Sequence, residues 1–273
     1  MSAYYNEFDP FAAAWLRELI KDGLIADGVV DERSITEVSS SDLEEFTQCH
    51  FFAGIGGWSM ALRLAGWPDD KPVWTGSPPC QPFSVAGKQT GKDDERHLWP
   101  AFFDLIREQA PPTVFGEQVA AAIRANWFDD LQEDLAAENY ASAMVVLPAC
   151  SVGAPHKRDR LWISAQRLAD TSGARLEGHG RPVQEYDQKG REKPARLCAT
   201  GGPASWSNVR RTNCLDGKAR PVPTEPTLFP LADGVSNRVG ILRGAGNAIV
   251  PQVAAEVIKA FMEFEVKELK WTK

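Results

Sequence analysis

The chain has 273 residues, 43% hydrophobic and 25% charged, which suits one substantial core with at most a small appended unit. No apolar run approaches the ~20 residues of a membrane span, and the opening MSAYYNEFDP carries acids and aromatics where a secretory leader would carry a basic patch and an apolar stretch. The five cysteines, at positions 49, 80, 150, 198 and 214, form no CxxC pair, so no metal site or disulfide framework is expected and the compartment should be reducing.

In chain order, AYYNEF reads as a short strand and DPFAAAWLRELIKDG (9–23) as a helix. Asp9 can cap that helix, Pro10 suits its first turn and Gly23 offers a stop. Ala12, Trp15, Leu16, Leu19 and Ile20 supply its apolar stripe. QCHFFAGIGG reads as strand into loop, followed by the helix WSMALRLAGW, which ends at Gly66. VWTGSPPC is again strand into loop, HLWPAFFDLIREQA a helix, TVFGEQV a buried strand and WFDDLQEDLAAENY an amphipathic helix. ASAMVVLPA and RLWISAQRL look like a pair of strands. This alternation predicts an α/β fold, a mostly parallel sheet covered on both faces.

From about Ala169 to Asn237 the texture changes to Gly, Pro, Ser, Arg and Asn, which predicts a loop-rich second unit. AGNAIVPQVAAEVIKAFMEF (245–264) then returns to regular structure, a loop feeding a helix. The net charge of −7 is unevenly distributed. Residues 1–150 hold 10 Lys and Arg against 24 Asp and Glu, a net of −14, whereas residues 151–250 hold 16 against 9, a net of +7. A basic segment on an acidic body suits a polyanionic partner, and equally a solvated arginine-rich loop.

Four stretches carry chemistry. The glycine loop 54-GIGG-57 lets a strand turn sharply and brings backbone N–H groups to a ligand at a helix N-terminus, although a plain tight turn is as common a use. In 76-GSPPCQPFS-84, prolines hold Cys80 on a stiff loop at the C-terminal edge of the sheet, where open α/β folds bind ligands. Most single cysteines are buried and structural, but one placed so is a candidate nucleophile. In 115-FGEQV-119, Glu117 ends a buried strand, as a paired core acid or as a carboxyl with a raised pKa that engages a substrate. In 156-HKRDR-160, Arg158 and Arg160 fall at period two, which predicts one face of a strand and two fork donors opposite a carboxylate.

The order glycine loop, PPCQPFS, GEQV, HKRDR and GNAIVPQ resembles the DNA cytosine-5 methyltransferase family, over most of the chain outside residues 165–237. The resemblance implies a Rossmann-like, S-adenosyl-L-methionine-dependent methyltransferase fold with a small target-recognition unit. By it Cys80 is the nucleophile, Glu117 the acid partner, Arg160 the contact to the cytosine carbonyl oxygen and Arg158 a buttress. Phe52, Ala53, Gly54, Ile55, Gly56, Gly57, Pro78 and Asn247 would line the cofactor pocket. The implied partner is double-stranded DNA, sequence-specifically read, with the target base flipped out. The protein would be a monomer in the cytoplasm of a bacterium or of a virus-infected bacterial host, in a restriction–modification setting.

Only twenty residues separate Gly57 from Pro78, too few for the two strands that the family usually places there, since each parallel crossover needs about a dozen or more. Those pieces resemble 4-YYNEFDPFAAAWLREL-19 and 29-VVDERSITEV-38 at the front of the chain. Glu7 would bind the ribose hydroxyls, Phe8 would stack on adenine and Asp31 would meet the adenine edge. The resemblance therefore implies a permuted strand order with a complete site. It divides the chain into a catalytic domain (1–164), a target-recognition region (165–237) and a return to the catalytic domain (238–273). Three positions depart from the family pattern: His50 where an acid is frequent, Gln118 for Asn and His156 for Gln. A structured-RNA substrate, a non-catalytic DNA-binding relative and a thiol hydrolase pairing Cys80 with His97 or His156 are the rival readings. Nothing in the spacing joins either histidine to the cysteine.

Overall fold

The computed structural model describes residues 3–79, 98–120, 127–154, 156–168, 209–213, 219–223 and 246–271. Seven strands form one sheet: β1 (Ala3–Asn6), β2 (Gly28–Asp31), β3 (Gln48–Phe51), β4 (Val73–Gly76), β5 (Thr113–Val119), β6 (Tyr140–Pro148) and β7 (Asp159–Arg167). Their order across the sheet is β2-β1-β3-β4-β5-β7-β6. The first five run parallel, β7 runs antiparallel to β5, and β6 pairs antiparallel with β7. A separate hairpin joins β8 (Val209–Asn213) to β9 (Ala219–Pro223). The expected Rossmann-like α/β fold is present. Its first strand in the chain lies inside the sheet, between the second and the third.

Side chains alternate across the strands, so each strand feeds two cores. On one face α1 (Pro10–Lys21), α2 (Gly57–Ala65) and α5 (Pro251–Trp271) cover the sheet. Tyr5, Val73, Phe115 and Trp162 point into that layer. On the other face lie two 3₁₀ turns (Ile35–Glu37 and Ser40–Asp42), α3 (Trp99–Gln109) and α4 (Trp127–Ala137). They bury Tyr4, Phe51, Trp74, Val114 and Ile163.

The helix signals act locally as their chemistry requires. Asp9 accepts hydrogen bonds from Phe11 N–H (2.9 Å) and Ala12 N–H (3.3 Å) at the start of α1. At its end Gly23 N–H reaches Ile20 O (2.9 Å) and Leu24 N–H reaches Leu19 O (3.0 Å), the two bonds of a Schellman closure. The buried stripe of α1 is narrower than expected. Ala12, Ala13 and Leu16 are buried, whereas Trp15 lies at the margin, 38% exposed, with its ring against Phe11.

Two expectations shift at β7. The strand runs through Arg167 with Ala165 in the core, past the division at residue 164. Arg158 is not on the strand at all: it precedes Asp159 and has φ of 41°, so it does not share a strand face with Arg160. The left-handed residue turns the chain into β7 and sends the Arg158 side chain elsewhere. Of residues 165–237, only 165–168, β8 and β9 are among those described; the rest of the expected target-recognition region, and Cys80 itself, lie outside the described residues.

Candidate active site at the C-terminal edge of the sheet

The parallel strands β1 to β5 all end at one edge, and antiparallel β7 begins there. That topology alone gathers Glu7, Asp31, the 52–57 loop, Pro78, Glu117 and Arg160 on one rim. In open α/β sheets this is the ligand-binding rim.

At its β1–β3 end the rim is a backbone cradle. Phe52, Gly54 and Gly56 have φ of 52°, 56° and 79°. Glycine takes that left-handed turn without strain, whereas Phe52 takes it at a cost. Gly56 caps α2, so the N–H groups of that helix's first turn face the rim. Glu7 organises the loop: its Oε2 accepts from Gly54 N–H at 2.6 Å and its Oε1 from Asp9 N–H at 2.8 Å. Glu7 N–H in turn donates to Asp31 O at 3.0 Å, tying the ends of β1 and β2 together. Phe8 is 72% exposed beside it, a free aromatic face on the rim. Ala53 is buried and Ile55 half-buried.

Asp31 is more heavily engaged than the sequence suggests. It accepts from Tyr4 OH (2.7 Å), from Arg33 N–H (2.9 Å) and from the Arg33 guanidinium (2.7 Å at Nη2). Burial pushes its carboxyl pKa up, but the hydrogen bonds from Arg33 and Tyr4 outweigh that and hold it below the usual range. An adenine edge would share this carboxylate with Arg33.

His50, at the position where the family has an acid, lies under the loop. It is buried, stacked on Tyr5 (4.9 Å between centroids, 27°) and bonded through Nδ1 to Thr75 Oγ1 at 2.8 Å. Its Nε2 has no hydrogen-bond partner among the described residues. Burial drives its pKa down to about 3, so the ring is neutral.

The β4–β7 end of the rim carries the second cluster. Glu117 is 8% exposed and its Oε1 meets Arg160 Nε at 2.8 Å. Burial raises the Glu117 pKa, opposed by the positive charges of Arg160 and Arg158 and by the Ser77 hydroxyl beside it. Ser77 Oγ also accepts from Trp58 Nε1 at 3.0 Å, a link from α2 to the acid that sequence reasoning missed. Beneath Glu117 a small cavity of about 20 Å³ is walled by apolar side chains such as Phe102, Leu131 and Ile163, which accounts for the carboxyl's poor solvation.

Gln118, one of the three departures from the family pattern, ties the end of β5 to the turn after β4. Its Nε2 donates to Pro78 O at 3.1 Å while its Oε1 accepts its neighbour Val119 N–H at 2.9 Å. Pro78, two residues ahead of Cys80 in the sequence, is buried. His156 is exposed, its pKa lowered by partial burial and by Arg158.

Arg158 donates to Gly246 O (3.0 Å) and Ala248 O (2.8 Å), the carbonyls on either side of exposed Asn247. Ile249, the next residue, packs on the glycine loop: a Cβ on Gly57 would lie 2.7 Å from Ile249 Cγ1.

Part of this rim falls in a stretch that is similar to known proteins. The sequence profile of the C-5 cytosine-specific DNA methylase family matches residues 67–193. The Type II methyltransferase M.AplI of Arthrospira platensis is 35% identical over 108 residues, 39% of this chain and 30% of that protein. M.HhaI of Haemophilus parahaemolyticus is 35% identical over 169 residues, 46% of this chain and 51% of that protein. Over residues 67–193 the chain resembles the cytosine-5 DNA methyltransferase family. It spans about half or less of the length of these methyltransferase relatives. The solved structure of the Entamoeba histolytica methyltransferase EhMeth aligns with 64% of this chain and 56% of its own at 16% identity and a TM-score of 0.39. The family match begins at residue 67, so the methyltransferase motifs read at Glu7, Asp31 and the glycine loop lie outside it. No helix among the described residues is long and apolar enough to cross a membrane.

Proposed function

We propose that the protein transfers a methyl group to C5 of cytosine in double-stranded DNA, as the modifying partner in a Type II restriction–modification setting. The observation that carries this reading is the buried Glu117–Arg160 pair at the strand ends, with the Pro78 turn braced beside it by Gln118. A pyrimidine presents a ring nitrogen and a carbonyl oxygen side by side, and a carboxyl next to a guanidinium matches that edge.

The front of the rim fits S-adenosyl-L-methionine. The left-handed residues Phe52, Gly54 and Gly56 turn the chain sharply into the N-terminus of α2, Gly57 leaves no room for a side chain beside Ile249, and Phe8 offers an open aromatic face next to the Glu7 carboxylate. Glu7 would hold the ribose hydroxyls, Phe8 and Asp31 the adenine, and Phe52 to Gly57 with Pro78 and Asn247 the remainder. When bound, the cofactor supplies an electrophilic methyl group on a sulfonium sulfur.

Cytosine C5 is a poor nucleophile, and the chain's own residues change that. The Cys80 thiolate adds to C6, while Glu117 donates a hydrogen bond at N3 and Arg160 at the carbonyl oxygen. Electron density released by the new C–S bond collects at C5, which then carries nucleophilic character. After methylation, loss of the C5 proton to water re-forms the C5–C6 double bond and expels the Cys80 sulfur. C6 is shielded in a stacked duplex, so the base must be extruded. The arginine- and glycine-rich region 165–237 is the part proposed to read the groove and contact phosphates.

The sheet order supports a rearranged reading of the motifs. A strand carrying Glu7 lies between those carrying Asp31 and the glycine loop, the spatial arrangement that the cofactor motifs require, although the chain visits them in the order Glu7, Asp31, glycine loop.

The test is transfer of labelled methyl from S-adenosyl-L-methionine to unmethylated duplex DNA, with base-resolution mapping of 5-methylcytosine. One short methylated sequence is the expected result, and Cys80→Ser should abolish it while cofactor binding persists. Sustained transfer by Cys80→Ser would refute the covalent step, and transfer to structured RNA alone would refute the DNA assignment.

A further inference from the structure

Arg158 pays for an uncommon backbone conformation, φ of 41° on a side chain with a Cβ, a strain of roughly 1–3 kcal/mol that persists only where surroundings enforce it. What enforces it lies 88 and 90 residues away. The two terminal nitrogens of one guanidinium reach two carbonyls, Gly246 O at 3.0 Å and Ala248 O at 2.8 Å. Those carbonyls bracket Asn247, whose own position is therefore set from outside its segment. Ile249, two residues after Asn247, is 8% exposed and sits against Gly57 so closely that a Cβ added there would lie 2.7 Å from its Cγ1. Val253, Ala254 and Ile258 of α5 continue the contact onto Trp58, Ala61 and Leu62 of α2. Arg160, by contrast, pairs directly with Glu117, on which the Arg158 charge acts without a hydrogen bond to it.

We infer that Arg158 is a positioning residue for the cofactor pocket and makes no contact with the target base: its guanidinium clips the 246–248 segment so that Asn247 and Gly57 are held at a fixed spacing across the pocket. The inference rests on the S-adenosyl-L-methionine reading above. A fork is needed because the acceptors are two separate carbonyls. Lysine, a single-point donor, reaches one of them at a time.

The full chain is compared with Arg158→Ala, Arg158→Lys and, as a control on the base side, Arg160→Lys. Calorimetry gives the affinity for S-adenosyl-L-methionine, and amide hydrogen exchange at residues 246–250 is followed without cofactor. Arg158→Ala is expected to weaken cofactor binding about tenfold, the scale of losing hydrogen bonds to a charged donor, and to accelerate exchange at 246–250. Arg158→Lys should restore neither fully, and Arg160→Lys should leave both unchanged. Wild-type cofactor affinity and exchange in Arg158→Ala, or in Arg158→Lys if the alanine variant fails to fold, would overturn the inference. Absence of cofactor binding by the wild-type chain would instead refute the functional reading, and the exchange comparison would still decide the clip.

Discussion

Replacing His50 by glutamine should flatten the acid limb of folding stability. The ring is 1% exposed, held at Nδ1 by Thr75 and stacked on Tyr5, and burial lowers its pKa from 6.5 to about 3. Between those two values the unfolded chain binds a proton that the folded chain refuses. Stability therefore rises with pH through this window and is lost as pH falls below 6.5. Each pH unit below the unfolded value removes about 1.4 kcal/mol, so roughly 2 kcal/mol is gone by about pH 5. Glutamine keeps a hydrogen-bonding group but carries no titratable proton. Urea unfolding of both proteins between about pH 5 and pH 8 gives the two slopes, and carboxylates titrating in both cancel in the difference. The variant should be less stable at the alkaline end, through the lost stack, and the two curves should converge as pH falls. Parallel curves would refute the reasoning, because they would mean that His50 titrates normally in the fold.

Gly57→Ala places a methyl 2.7 Å from Ile249 Cγ1, and overpacking of that kind costs about 1–3 kcal/mol; thermal melts should show the loss, and adding Ile249→Ala should recover part of it. Arg33→Ala strips the guanidinium from Asp31, whose Oδ2 keeps Tyr4 OH and whose Oδ1 keeps the residue-33 backbone N–H. The exposed pair contributes less than about 1 kcal/mol to stability, so the main effect should be several-fold tighter S-adenosyl-L-methionine binding by calorimetry, whereas weaker binding would mean that the ion pair itself forms the adenine edge. Glu117→Gln leaves the Arg160 charge without its partner, which should cost about 3 kcal/mol in chemical denaturation and reduce methyl transfer at least about a hundredfold, as for loss of an acid catalyst, with cofactor affinity unchanged.

The strands and helices were legible because their boundaries are chemical. Asp9 and Pro10 open α1, Gly66 closes α2 and Pro251 opens α5, and each acts within its own turn. The clustering of Glu7, Asp31 and Glu117 was also legible, since residues at the C-terminal ends of parallel strands must share an edge; Arg160 joins them because antiparallel β7 begins there. Contacts made across long separations were not. Nothing in HKRDR says that Arg158 will leave the strand to hold carbonyls near residue 247, because that depends on where α5 returns. The Trp58–Ser77 bond needs both α2 and the β4 turn in place, and Ser77 reads locally as an ordinary turn residue. Asp31 looked available as a motif residue, and its pairing with Arg33 two positions on is a local bond whose competition with a ligand only the assembled rim reveals.

The strand order also bears on how the chain folds as it is synthesised. Residues 3–76 hold four adjacent strands, β2, β1, β3 and β4, each paired with a neighbour made within this stretch. The proposed cofactor half of the sheet thus finds its strand partners ahead of Glu117 and Arg160 in the chain, although its parallel crossovers span 25 residues or more and such pairing is intrinsically slow. Its outer cover arrives late. The cluster of Trp58, Leu62 and Trp67 is completed only by Val253, Ala254 and Ile258 of α5. The last helix is the closing latch of the first half built.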